Sequence, residues 1–234
     1  MDALDRTWPS MAWASRADRA EATRALLTRV LLDGALGRTA LVSSFGVDSA
    51  VLLHLAAGID AATPVLFVDS GKLFDETLAY RDRLVAELGL TAVRTVAPDP
   101  AVLVRRDPTG ERHALDPDGC CDLRKVQPLE AALAGFDVWI TGRRRHQATT
   151  RAGMRRVETD AAGRLKLNPL ADWSPADVAD YRRRHRLPAH PLEARGYTSI
   201  GCAPCTSPVA PGEDPRAGRW RHLRKTECGL HRAG

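Results

Sequence analysis

Long apolar runs are absent from this 234-residue chain. No segment approaches the roughly 20 apolar residues that a membrane-crossing helix needs. Nor does the amino terminus, which carries Asp2, Asp5, Asp18 and Glu21, contain an apolar stretch of signal-peptide length. The expectation is a cytoplasmic protein with no membrane partner. Aromatic residues supply only 5% of the chain, and Trp139 and Trp173 read as core side chains rather than base-stacking platforms. The seven histidines fall at no metal-ligand spacing, so none is taken as a ligand. Internal repeats and low-complexity tracts are also missing, which excludes solenoid and array architectures.

What is present is ordinary in bulk. Hydrophobic residues at 44% and charged residues at 27% describe a globular chain, long enough for one large domain or two small ones with a real core. A net charge of +5 favours an anionic partner without choosing one. Much of the positive charge is clustered. Arg143, Arg144 and Arg145 are followed by Arg151, Arg155 and Arg156, and Arg182, Arg183 and Arg184 form a second run. Such runs are usually solvated faces, and the second is read that way.

The five cysteines are the most informative feature. Four form two tight pairs, Cys120-Cys121 and Cys202-x-x-Cys205, and Cys228 stands apart near the carboxyl end. A reducing compartment makes metal-binding or catalytic roles the first reading, ahead of disulfides. A C-x-x-C pair is a common metal or redox spacing. Adjacent thiolates reach one tetrahedral zinc with difficulty, because zinc ligands are usually spaced by two to four residues. An iron–sulfur cube spreads its attachment points and accepts neighbouring cysteines. A cluster is favoured; structural zinc and unrelated buried thiols or disulfides stay open. Cys228 is then free to react, with Lys225 and His231 nearby as cations that would raise its thiolate fraction.

Periodicity organises the rest. Residues 39–42, 64–68, 91–96 and 136–142 read as strands, and residues 21–32, 50–57, 75–88 and 123–134 as helices. Ser174 caps a further helix through about residue 185, with Pro175 in its first turn. Alternating strands and helices predict an α/β fold with a mostly parallel twisted sheet flanked by helices. Residues 1–210 are expected to form one domain carrying the site, and residues 211–234 a mobile tail carrying Cys228. In such sheets ligands bind outside the carboxyl ends of the strands. Three polar segments leave those ends: residues 43–49, 69–72 and 142–151. Their convergence on one crevice would turn the first arginine run into an anion clamp of charge-assisted hydrogen bonds. The first segment, a strand-to-helix turn rich in hydroxyl residues, is an oxyanion-binding arrangement or simply a helix cap.

Together these motifs resemble those of one family, the assimilatory adenylyl-sulfate reductases. The similar segments are Cys120-Cys121-x-x-Arg124-Lys125-Val126-x-Pro128-Leu129, Gly196-Tyr197-x-Ser199-Ile200-Gly201-Cys202-x-Pro204-Cys205-Thr206 and Lys225-Thr226-Glu227-Cys228-Gly229-Leu230-His231. Gly218-Arg219-Trp220 and Asn168-Pro169-Leu170-x-Asp172-Trp173 fit too, and the match stays in register over about residues 41–231. The resemblance implies an adenine nucleotide alpha hydrolase-like fold of the PP-loop type, with a [4Fe-4S] cluster on Cys120, Cys121, Cys202 and Cys205. It implies adenosine 5′-phosphosulfate as substrate. Cys228 would attack the sulfur, displace AMP and become an S-sulfocysteine, which thioredoxin or a glutaredoxin-like reductant would reduce to free sulfite. The family's cluster lies near the substrate's sulfate and is held to keep one oxidation state.

The resemblance also assigns loops. Gly142-Arg143-Arg144-x-x-Gln147-x-x-Thr150-Arg151 matches the loop that binds the phosphosulfate, with Lys125 as further help for developing negative charge. Asp69-Ser70-Gly71-Lys72 matches a D-T-G-[RK] turn near the ribose and phosphate, Ser70 keeping the hydroxyl. From the first turn Ser43, Ser44, Phe45, Gly46, Asp48 and Ser49 are expected at the substrate. ATP-cleaving relatives of the wider superfamily carry S-G-G-x-D-S there, and Phe45 would put a bulky side chain where pyrophosphate approaches. Three rivals remain: a reductase of the 3′-phosphorylated nucleotide, a PP-loop tRNA-modifying enzyme and a zinc-stabilised nucleic-acid-binding module. The cluster cysteines and the terminal motif favour the unphosphorylated substrate, with no nucleic-acid partner. A homo-oligomer is left open.

Overall fold

The computed structural model describes residues 16–223 and 225–231. Residues 1–15 of the expected domain, and Arg224 and residues 232–234 of the expected tail, lie outside the described residues. Six strands are present among the described residues: β1 (Thr39–Ser43), β2 (Val65–Val68), β3 (Val93–Val96), β4 (Val138–Thr141), β5 (Val157–Thr159) and β6 (Leu165–Leu167). They form one sheet in the order β3-β2-β1-β4-β6-β5. Every neighbouring pair is parallel except β5 with β6. The helices are α1 (Arg16–Leu32), α2 (Ser49–Ala57), α3 (Asp75–Leu88), α4 (Pro100–Arg106), α5 (Arg112–Leu115), α6 (Pro117–Cys121), α7 (Gln127–Leu133) and α8 (Pro175–Arg184).

Side-chain alternation along the strands builds the two layers. In β2, Val65 and Phe67 join the core formed with α1, α2, α3 and α8, whereas Leu66 and Val68 join the one formed with α7. Val138 and Ile140 of β4 take the first face and Trp139 the second. Burial on both sides explains why these strands read as continuous apolar runs. Helix α3 has the expected bounds, and Gly89 ends it with φ +64° while the Leu90 N–H returns to the Val85 carbonyl at 3.0 Å. Helix α8 starts at the Ser174 cap with a reciprocal Asp177 box.

Several regions depart from the sequence reading, which assigned no helix at α4 or α5. The helix expected over 123–134 is a π-helical turn at Asp122–Val126 followed by α7, and α6 leads directly into it. Pro128 lacks the N–H that would close an α turn onto Arg124, and the chain winds wider just before it. Strands β5 and β6 were not anticipated: each has three residues, and Glu158 and Lys166 interrupt the apolar pattern. No helix among the described residues is long and apolar enough to cross a membrane.

Candidate functional site: a basic crevice beside a cysteine cleft

The strand order changes direction at β1 and β4, the switch point where α/β sheets bind ligands. A crevice of about 430 Å³ opens there. From the turn after β1 it is lined by Ser43, Ser44, Gly46, Asp48 and Ser49, and from the turn after β4 by Arg143, Arg144, Gln147 and Arg151. Lys125 and Cys228 line it as well.

Phe45 does not stand in the crevice. Its φ of +48° is a conformation that costs an L-residue about 1–2 kcal/mol. The ring is fully buried, edge-on to Phe67 with centroids 5.3 Å apart. The expected bulky obstacle to pyrophosphate is therefore core, and the loop shows the crevice its backbone and hydroxyls. Thr150 is not a lining residue either; its Oγ1 lies 3.5 Å from Glu227 Oε1.

The turn after β2 faces elsewhere. Ser70 and Lys72 line a second, smaller cleft that contains all four paired cysteines. Ser70 Oγ lies 3.0 Å from Cys202 Sγ, and Arg124 Nη1 donates to the Ser70 carbonyl at 3.0 Å. Asp69 accepts from the Gly71 N–H at 2.8 Å, closing a local turn that Gly71 completes at φ +70°. The Ala203 N–H donates to the Lys72 carbonyl at 2.8 Å. Two of the three expected segments thus meet in the crevice, and the third buttresses the cysteines.

In that cleft the end of α6 presents Cys120 and Cys121 and the π-helical turn after it presents Arg124 and Lys125, with Cys202 and Cys205 also lining the cleft. Arg124 is buried with Asp107, donating to Oδ2 from Nη2 at 2.6 Å and from Nε at 2.9 Å. All five cysteines are free thiols. Burial pushes the Cys120 and Cys205 thiols up and Cys121 up to about 11, so as bare groups they are protonated at neutral pH. Cys202 goes the other way: burial raises it, but the Lys125 ammonium and Ser70 outweigh that. Among the described residues, no three His, Cys, Asp or Glu side chains stand close enough to hold one metal ion. Four thiols around one cleft are a soft donor set, the ligand chemistry that an iron–sulfur cluster uses.

Lys125 and Trp220 line both cavities and form the wall between them. Trp220 belongs to the expected tail and is buried at 3% exposure. Its backbone N–H donates to the Cys205 carbonyl at 3.0 Å, and Thr206 bridges Arg219 across the expected domain boundary. The tail lies docked in this structure. Cys228 has Lys125 and Arg216 as charged neighbours. The cations expected from sequence are otherwise engaged: Lys225 pairs with Asp118. Burial, with Arg143 and Lys166 nearby, drives His231 well below the usual histidine range, so it is a neutral ring, stacked on Trp139 at 5.6 Å.

Several crevice residues escaped the sequence reading: Arg182, Glu193, Arg216, Arg219 and Glu227. Arg182 was assigned to a solvated run. Arg183 and Arg184 are indeed exposed and pair with Asp180, but Arg182 is turned inward on the face of Val178. The spacing of four between those two residues was the available signal.

A mostly parallel α/β sheet with an arginine-lined crevice at its switch point, and a thiol in that crevice, defines an α/β protein whose site is basic and carries a nucleophile. The chain belongs to the phosphoadenosine phosphosulfate reductase domain family, whose sequence profile matches residues 38–208. It is 56% identical to an adenosine 5′-phosphosulfate reductase of Mesorhizobium japonicum, over 83% of this chain and 76% of that protein. A phosphoadenosine 5′-phosphosulfate reductase of Gloeobacter violaceus is 43% identical, over 83% and 82%. The fold is similar to that of a phosphoadenylyl-sulfate reductase from Candida auris in its phosphate complex, with TM-score 0.68 and 21% identity over 89% of this chain and 95% of the other. It is also similar to a Candida glabrata FMN adenylyltransferase, at TM-score 0.60 and 15% identity over 99% and 82%.

Proposed function

We propose that this chain reduces adenosine 5′-phosphosulfate to sulfite and AMP in assimilatory sulfate reduction, as the names of its relatives suggest. The observation that carries the reading is that Cys228 shares one crevice with Arg143, Arg144, Arg151 and the buried Lys125. A soft nucleophile and the cations to hold a phosphosulfate meet where the sheet binds ligands.

The Cys228 thiolate attacks the sulfur, the sulfur–oxygen bond breaks, and its electron pair leaves on AMP. Cys228 is left as S-sulfocysteine. A thiolate of thioredoxin, or of a glutaredoxin-like dithiol, then attacks Cys228 Sγ and expels sulfite with the sulfur–sulfur electron pair. The second thiol of the reductant resolves the mixed disulfide and restores Cys228. Both electrons come from the dithiol, so the reaction balances without another redox group. Lys125, Arg143 and Arg151 hold the ligand's anionic oxygens as charge shifts onto AMP.

Cys120, Cys121, Cys202 and Cys205 would hold a [4Fe-4S] cluster, which when bound would supply a fixed charge environment beside Lys125. The reducing cytoplasm suits both the thiols and the dithiol partner. Docking of that partner onto Cys228 requires the tail to leave the crevice, so the reading includes a mobile tail.

Anaerobically purified protein, given adenosine 5′-phosphosulfate and no reductant, tests the reading. The expected result is about four irons per chain, one equivalent of AMP and a sulfonate mass on the Cys228 peptide. Unmodified Cys228 with no AMP released overturns it.

A further inference from the structure

We infer that Glu158 and Lys166 are positioning residues for the proposed sulfonate transfer. Glu158 holds the Arg143 guanidinium at the crevice wall, and Lys166 returns the positive charge that Glu158 cancels. The inference rests on the proposed reductase reading and concerns the layer behind that wall.

The two residues face each other in register across the β5–β6 pair. Arg143 lines the crevice, and neither of them does. Glu158 Oε2 accepts from Arg143 Nη2 at 2.6 Å, from Lys166 Nζ at 3.0 Å and from Asn168 Nδ2 at 3.0 Å. Asn168 is fully buried, and its Oδ1 accepts from Thr141 Oγ1 at 2.7 Å and from Arg143 Nη2 at 3.4 Å. One amino group of the guanidinium is thus fixed to the hairpin. Its Nε is buried and has no acceptor among the described residues. Buried donors are normally satisfied, so this one is available to a ligand oxygen.

A carboxylate alone would hold Arg143 but also cancel its charge. Lys166 leaves the trio with one net positive charge, two cations against one carboxylate. The wall therefore still attracts an anion. Lys166 is 1% exposed, with its ammonium 5.1 Å from the centre of the Trp139 ring. Burial would raise the Glu158 carboxyl, but the bonds from Asn168, Lys166 and Arg143 outweigh it and hold the group below its ordinary range. For stability alone, apolar side chains of similar volume would serve a buried pair as well. What they could not do is set the position of Arg143 while keeping the wall positive.

The test uses holoenzyme, wild type and variants, and reads two quantities. One is the single-turnover rate of AMP release from adenosine 5′-phosphosulfate without reductant. The other is the Kd of ADP by calorimetry, its terminal phosphate standing in for the sulfate. Glu158→Gln makes the wall more positive, so charge alone predicts tighter ADP binding. Positioning predicts the opposite: release slower and ADP weaker, each by about tenfold. In an Arg143→Ala background the same substitution should change either quantity less than about twofold. Glu158→Met with Lys166→Met replaces the pair by apolar side chains, keeps the fold and should match Glu158→Gln. Lys166→Met alone should weaken ADP about tenfold, less at high salt, and Lys166→Arg should restore it. ADP bound as tightly as by wild type in Glu158→Gln and the double Met variant, or an equal loss with and without Arg143, overturns the role of Glu158. Unchanged ADP binding in Lys166→Met overturns that of Lys166. Wild-type protein that releases no AMP overturns the reductase reading instead, and the ADP cycle still decides whether Glu158 acts through Arg143.

Discussion

Arg151 and Glu227, 76 positions apart, form a two-point ion pair: Nε donates to Oε1 at 2.6 Å and Nη2 to Oε2 at 2.9 Å. Arg216 Nη2 adds a contact to the same carboxylate at 3.3 Å. The pair ties the loop after β4 to the residue preceding Cys228. It also fills, with a carboxylate, an arginine that an anionic ligand would use.

Glu227→Gln should therefore loosen the tail. Burial alone would raise the Glu227 carboxyl, but the Arg151 bond and charge outweigh it and hold the group below its ordinary 4.5. A depressed carboxyl stabilises docking at pH values above the ordinary one, and that contribution is lost as pH falls through the lower bound value. Hydrogen exchange of the 225–231 peptide should be faster in the variant at pH 7, and in wild type should speed up only below about pH 4.5 after correction for intrinsic rates. Equal protection at pH 7 would show that the pair does not hold the tail.

Lys125 stands between the two cavities as a buried ammonium. Lys125→Met should slow single-turnover sulfonate transfer to Cys228 by about 10²–10³-fold, the usual effect of removing one preorganised charge donor. Lys125→Arg should recover part of the loss. A Met variant as fast as wild type would remove Lys125 from the chemistry.

His190 predicts an acid weakness in the fold. Its Nδ1 accepts from the Leu192 N–H at 3.2 Å, so the neutral ring carries its proton on Nε2, 3.2 Å from Thr77 Oγ1. A second proton would face that N–H. Burial holds the ring down at about 4 against an ordinary 6.5. The unfolded chain takes up the proton first, so stability is full above 6.5 and falls as pH drops toward about 4, by up to about 3 kcal/mol. Urea midpoints of wild type should drop between pH 7 and 5, and those of His190→Gln should drop less. Parallel pH curves for the two would refute this.

Phe45 should matter for stability rather than for access. Phe45→Ala should cost about 3–5 kcal/mol by urea unfolding, and Phe45→Gly about 1 kcal/mol less, because glycine relieves the positive φ. Restoring the glycine of the S-G-G-x-D-S pattern should confer no ATP cleavage. Pyrophosphate release by Phe45→Gly would return the ring to the role of gate.

Much of this protein was legible before any coordinates. Strands β1, β2 and β4 announce themselves because both faces are buried and their apolar runs are unbroken. Gly89 and Ser174 mark helix ends by local chemistry alone. The cysteine spacing and the terminal Cys228 motif resembled one family, and the matching profile and relatives bear that out. Strands β5 and β6 were illegible because their order comes from pairing with β4 and from the Glu158–Lys166 contact, not from propensity.

Local residue order determined the α/β alternation, the helix caps and the family. Tertiary structure decided which way side chains face once elements pack. It buried Phe45, turned Arg182 inward, aimed Ser70 at Cys202 and neutralised His231, because burial and charge pairing depend on neighbours that lie far away in the chain.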